Sequence, residues 1–185
     1  MKISRLDMFL IMMPMKFIED NVIKKTNEIL DVPMTTQEYI KCVGCWLYMS
    51  CWVEIHNRKD WWSTMVLSRH KEAPFRLNDY MSRNRFDQIL SLLQHTDRSS
   101  EYEDGFHIMR QWVEAWNNNM GEEFSPSWVS VLDDYMMKWL NKYCPDFICV
   151  GLKPDPYGNE RHTISSALTS ILFRVLIVEG KDQPK

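Results

Sequence analysis

The sequence is short of several things. Glycine is scarce, six in 185 residues, and no Gly-rich phosphate loop occurs, which excludes a P-loop or dinucleotide-binding reading. No Ser-His-Asp pattern is present, and His107 and His162 have no nearby nucleophile in the sequence. No apolar run approaches the roughly 20 residues that span a bilayer, "CVGCWLYMSCWV" included. A secretory signal is missing too: "MFLIMMPM" follows Lys2 and Arg5, but it is short, holds Pro14 and has no small-residue cleavage site. Neither charge is in excess. With 22 basic against 25 acidic residues and a net charge of −3, there is no global attraction to nucleic acid or anionic membrane, so any DNA contact must come from a local patch. The five cysteines are an odd number without a signal, which fits reduced thiols inside a cell rather than a disulfide framework. A soluble, intracellular protein with no membrane partner is the expectation.

What is present suits a folded core. Hydrophobic residues make up 45% of the chain, with eight tryptophans, and 25% charged residues argue against wholesale disorder. The length allows one domain or one and a half. Roughly the first 120 residues read as helical. "FIEDNVIKKTNEIL" is amphipathic through Phe17, Val22, Ile23, Ile29 and Leu30. "PMTTQEYIKCVGCWLYMSCWVEI" opens on Thr35 or Thr36 as cap with Glu38 soon after, and its meagre polar face predicts a helix central to the core. Ser82 precedes Phe86, Ile89, Leu90 and Leu93 at helical spacing; Ile108, Trp112, Val113 and Trp116 form a further stripe. From Trp128 the chain turns to short β-favouring segments, "WVSVLD", "DFICVGL", "RHTISSALTS" and "ILFRVLIVEG", whose short connections suggest an antiparallel meander. No later helix covers that sheet, and "ILFRVLIV" is a sticky edge if left unpaired, so self-association is expected.

The pair Asp133-Asp134 ends the apolar run that begins at Trp128. Successive strand side chains face opposite ways, so the two carboxylates cannot both decorate one side. One of them should lie over or beside whatever the sheet packs against, where a carboxylate is costly without a compensating positive charge such as a metal ion. Locally, the plainer reading is that the strand stops at Asp133 and the pair caps a helix, "YMMKWL".

Order and spacing of several segments resemble piggyBac-type transposases. "PFRLNDYMSRNRFDQILSLLQHTD" is similar to the helical block ahead of the catalytic domain, and "FHIMRQWVEAWNNNM" to the helix that follows. "SVLDDYMMKW" resembles the first catalytic strand, while "KPDPYGNERHTI" and "VEGKD" resemble the next strands in a subgroup of piggyBac-derived proteins. The likeness covers roughly residues 33 to 182. It implies an α+β fold: a helical DNA-binding or dimerisation-like region over residues 1–125, then the first antiparallel strands of a partial RNase H-like domain over 126–185. It also implies cut-and-paste DNA transposition by three Asp residues holding two Mg2+ ions, transposon-end DNA as partner, and a nuclear location. Asp133 stands at the first catalytic, metal-binding Asp; Asp134 stands where the family usually has Glu. The segments bearing the other two catalytic Asp residues lie further along in the family than residue 185. One carboxylate cannot position two ions, so a catalytically silent, transposase-derived chain is expected. The alternative is a helical module that binds protein or DNA without catalysis.

Three other constellations stand beside this. Cys42, Cys45, Cys51 and His56 invite a zinc reading, but on a buried helix they behave as small hydrophobes. Trp46, Trp52, Trp61 and Trp62 could stack on bases, though aromatics at helical spacing are more often core. Arg83 and Arg85 in "MSRNRF" sit near a helix N-terminus, suited to DNA phosphates, and equally to a salt-bridged pair.

Overall fold

The computed structural model describes residues 3–51, 58–63, 76–95, 106–138 and 147–178. Trp52, His56, Cys144 and the "VEGKD" strand region after residue 178 fall outside them. The helices are α1 (Arg5–Met12), α2 (Met15–Phe17), α3 (Lys24–Asn27), α4 (Thr36–Ser50), α5 (Arg83–Leu92) and α6 (His107–Glu123), and the strands β1 (Ser130–Lys138), β2 (Ile148–Cys149), β3 (Tyr157–Ser166) and β4 (Leu172–Ile177). Helix gives way to strand between Glu123 and Ser130, where the sequence places the change. Packing divides the chain differently. One compact unit is contiguous, Ile18–His95, and the other joins Met1–Phe17 to Thr96–Lys185.

In the contiguous unit a π-helical stretch, Ile18–Ile23, runs into α3 and buries Ile18, Val22, Ile23 and Thr26. Thr26 is polar but not unpaired: its Oγ1 accepts the Gln94 N–H at 3.0 Å. Asn27 clasps the backbone of Met34 with both amide atoms, at 2.9 and 2.7 Å. Thr35 caps α4 by accepting from the Glu38 N–H. The expectation that α4 lies at the centre needs correction. It buries one stripe, Tyr39, Cys42 and Cys45, while Trp46 and Leu47 are about half exposed, at 50% and 51%. Trp61 and Trp62, candidates for base stacking, are instead buried in the core. The Trp62 ring lies 5.1 Å from Phe86, and its indole N–H donates to the Met81 carbonyl at 2.8 Å.

In the second unit Ser4 and Asp7 cap α1 reciprocally, Asp7 N–H to Ser4 Oγ and Ser4 N–H to Asp7 Oδ2. The carbonyl of Ile11, one of those a helix end leaves unpaired, accepts from Asn119 of α6 at 2.9 Å. Phe17 meets Trp112 edge to face, 5.6 Å between centroids. The sheet is antiparallel with β3 as its spine. All of β1 pairs along one side of β3, from Ser130↔Ser166 to Lys138↔Gly158. That side is then full. β2 (Ile148↔Gly158, Cys149↔Tyr157) and β4 (Arg161↔Ile177 through Ser165↔Leu172) therefore share the other side end to end.

Two expectations about this sheet change. Tyr135 to Lys138 do not open a helix: they continue β1, because β3 offers ladder hydrogen bonds along their whole length. Cover for β4 also exists, supplied by an earlier helix. Asn117 of α6 donates to the Val175 carbonyl at 2.8 Å and accepts the Val175 N–H at 2.9 Å, closing part of the free edge of β4. Among the described residues no helix is long and apolar enough to cross a membrane.

Candidate functional site

The centre of β1 carries the carboxylates that the sequence singles out. Strand alternation sends Asp133 and Asp134 to opposite faces of the sheet. Asp133 sits opposite Thr163, and Asp134 opposite His162. The two differ sharply in company. Asp133 Oδ1 accepts the N–H of Asp134 at 2.9 Å, and the Asp133 carbonyl accepts from Thr163 Oγ1 at 3.2 Å. No described cation pairs with its charge, and the side chain is exposed.

Asp134 belongs to a charge cluster. Its Oδ1 lies 3.4 Å from His162 Nε2. Glu160, two residues before His162 on β3, shares that face. Lys153, in the turn between β2 and β3, places its Nζ 3.9 Å from Asp134 Oδ2 and 3.6 Å from Glu160 Oε1, and donates to the Asp134 carbonyl at 3.3 Å. Asp134, Glu160 and His162 each offer a ligand atom, all within 4.8 Å of one another. The sequence gives no sign of this grouping, since it depends on which β1 residue stands opposite which β3 residue.

Arg83 and Arg85 lie in the other unit, at the start of α5, where Ser82 caps the helix by accepting the Arg85 N–H at 3.3 Å. Arg85 is turned inward. Its Nε and Nη2 fork onto Glu38 at 2.7 and 2.9 Å, Nη1 donates to Gln88, and Nη2 also reaches the Val32 carbonyl. This hydrogen-bonded pairing holds the Glu38 carboxyl below the usual glutamate range. Arg83 is more open, with 41% of its side chain exposed and Nε 3.3 Å from Asp87, whose other oxygen lies 3.1 Å from Arg58. The zinc reading finds no support in Cys42 and Cys45. Both are buried free thiols. Burial pushes the Cys42 thiol up to about 12, the opposite of what a ligating thiolate needs. Cys51, which closes α4, is exposed.

Asp133 thus stands exposed on the first strand of an antiparallel sheet that helices precede, paired with no described cation. The chain belongs to the family described as Transposase IS4, whose model matches residues 5–185. Among solved structures it is similar to piggyBac transposase in a synaptic complex with hairpin DNA, with a TM-score of 0.69 and 18% identity over 96% of this chain and 39% of that one. The chain thus spans about two fifths of that relative's length. No curated protein matches it. The likeness to piggyBac transposase is one of fold, α+β with an RNase H-like sheet.

Proposed function

We propose that this is a transposase-derived protein that binds DNA and that residues 1–185 alone neither cut nor join it. The observation that carries the reading is Asp133, exposed at the centre of the first strand of a sheet of transposase type and uncommitted to any described cation. In the family such a carboxylate would hold Mg2+, which supplies a Lewis acid for phosphoryl transfer. The fit here is poor. Asp133 offers one carboxylate, one of its oxygens already accepts an N–H, and no described trio of potential ligands includes it. Two ions need several carboxylates to hold them together, so no catalytic step is assigned to this centre.

DNA is proposed as partner because the relative of this fold is held in a complex with hairpin DNA. Arg83, partly open at the helix start, is the better placed of the two arginines for a phosphate; Arg85 serves α4 and α5. A nuclear site of action and self-association belong to the same proposal. The second reading, a helical module that binds protein, draws on the exposed apolar pair Trp46 and Leu47.

A gel-shift titration on hairpin-ended DNA across a salt series tests both. Phosphate contacts make affinity fall steeply with salt, and Arg83→Ala should weaken binding at every sequence and lower the salt slope by about one. Incubation with Mg2+ or Mn2+ should yield no nicked or joined product. Salt-independent binding, or none, favours the protein-binding module. Nicking that vanishes in Asp133→Asn overturns the silent assignment.

A further inference from the structure

We propose that Asp134, Glu160 and His162 form a site for a divalent transition-metal ion of the zinc type, with Lys153 as the cation that competes for it. The site lies on the face of the sheet opposite Asp133, and the inference is independent of any transposase chemistry.

Three features carry it. The first is placement. Asp134 and His162 are direct partners in the β1–β3 ladder, and Glu160 is the next side chain on the same face of β3. Three ligand-bearing residues are thereby fixed on paired strands rather than on loops, so the backbone pre-orients them. The second is spacing. The 3.4 Å between Asp134 Oδ1 and His162 Nε2 exceeds the ~2.7–3.2 Å of an N–H···O hydrogen bond. Two ligands each about 2.0–2.2 Å from a tetrahedral Zn2+ stand about 3.3–3.6 Å apart, and this pair matches that edge. The third ligand atom is near enough, with all three inside 4.8 Å, for a small rotamer adjustment to complete the face of a tetrahedron. The third feature is the donor set. One imidazole and two carboxylates suit Zn2+ and its neighbours, whereas Mg2+ and Ca2+ prefer oxygen alone. Three protein ligands leave one position for water, and the cluster is open enough to admit it, with 39% of the His162 side chain and 53% of the Asp134 side chain exposed.

Lys153 is the counter-argument, and its geometry weakens it. Its Nζ lies 3.6 and 3.9 Å from the two carboxylates, beyond good hydrogen bonds, and its hydrogen bond to the Asp134 carbonyl is long at 3.3 Å. It also comes from the turn between β2 and β3, so it can swing to solvent without disturbing a strand pair. One ammonium leaves the two carboxylates incompletely neutralised; a dication completes the balance.

Isothermal titration calorimetry of the full 185-residue chain with Zn2+ tests the site. One ion per chain is expected, weakened at least about tenfold in His162→Ala and in Glu160→Gln, tightened in Lys153→Met, and unchanged in Asp133→Asn and in Cys42→Ser. Thermal midpoints of the apo variants show whether each is folded; should His162→Ala unfold, Glu160→Gln decides. Co2+ provides a second readout: visible d–d absorption without a thiolate charge-transfer band is expected. Absence of binding, binding of equal strength in both ligand variants, or a thiolate band placing the ion on cysteine each overturns the proposal.

Discussion

A guanidinium with every nitrogen occupied has little left for a phosphate, and Arg85 is in that position. Its value is structural: it ties the start of α5 to the first turn of α4 through Glu38. Charge-assisted hydrogen bonds of this sort contribute about 1.5–3 kcal/mol, and removing one partner also strands the other. Arg85→Ala is therefore expected to cost about 2 kcal/mol at pH 7, read by urea unfolding. The pH dependence has a definite sign. Glu38 is held below the ordinary glutamate value of 4.5, first by its hydrogen bond to Arg85. Its contribution is accordingly complete above that value and is lost as pH falls through the lower, folded one. Between pH 7 and pH 3 the wild type should lose more stability than Glu38→Gln; equal losses would show that the pair contributes nothing. That "MSRNRF" opens a helix is legible from Ser82 alone. Which arginine turns inward is not, because the acceptors lie up to 53 residues away.

Among the elements, β4 shows where local reading stops. Its apolar, β-favouring composition makes the strand legible, as it does the first half of β1 and the second half of β3, and the caps Thr35 and Ser82 mark the starts of α4 and α5. Partnership is another matter. The side chain that closes the β4 edge belongs to Asn117, 58 residues earlier, in a run of three asparagines that looks like a helix stop. In the same way the Asp134–His162 pairing needs the β1–β3 register, which no property of either segment alone supplies. Asn117→Leu should leave the Val175 N–H and carbonyl without their partner, at a cost of about 1–3 kcal/mol. It should also re-open an apolar edge to other chains. Size-exclusion chromatography at micromolar concentration is expected to show larger species for the variant than for the wild type, together with a lower unfolding midpoint. Identical elution and midpoint would mean the clamp protects nothing.

At the scale of the whole molecule, the transposase-like order of segments was readable because order and spacing survive where individual motifs are weak, and the family model extends that match back to residue 5. The division of the chain was less readable: a helical front and a β-rich end suggest a break near residue 125, yet α1 and α6 pack in the unit that holds the sheet. The reason is that composition reports secondary structure and not neighbours. That unit is stitched from both sides of a contiguous one, and α1 finds Asn119 only across 108 residues of chain. Such a closure is more non-local, and so slower, than the 47-residue one that joins α4 to α5. In refolding with pulsed hydrogen exchange, amides of α4 and α5 should gain protection before those of α1; protection of α1 first would contradict this. On the ribosome the same asymmetry becomes a matter of timing. α1 leaves the ribosome well before α6, so it waits for Asn119 until α6 has been made. During that interval α1 lacks the partner it has in the fold and is open to chaperones and proteases.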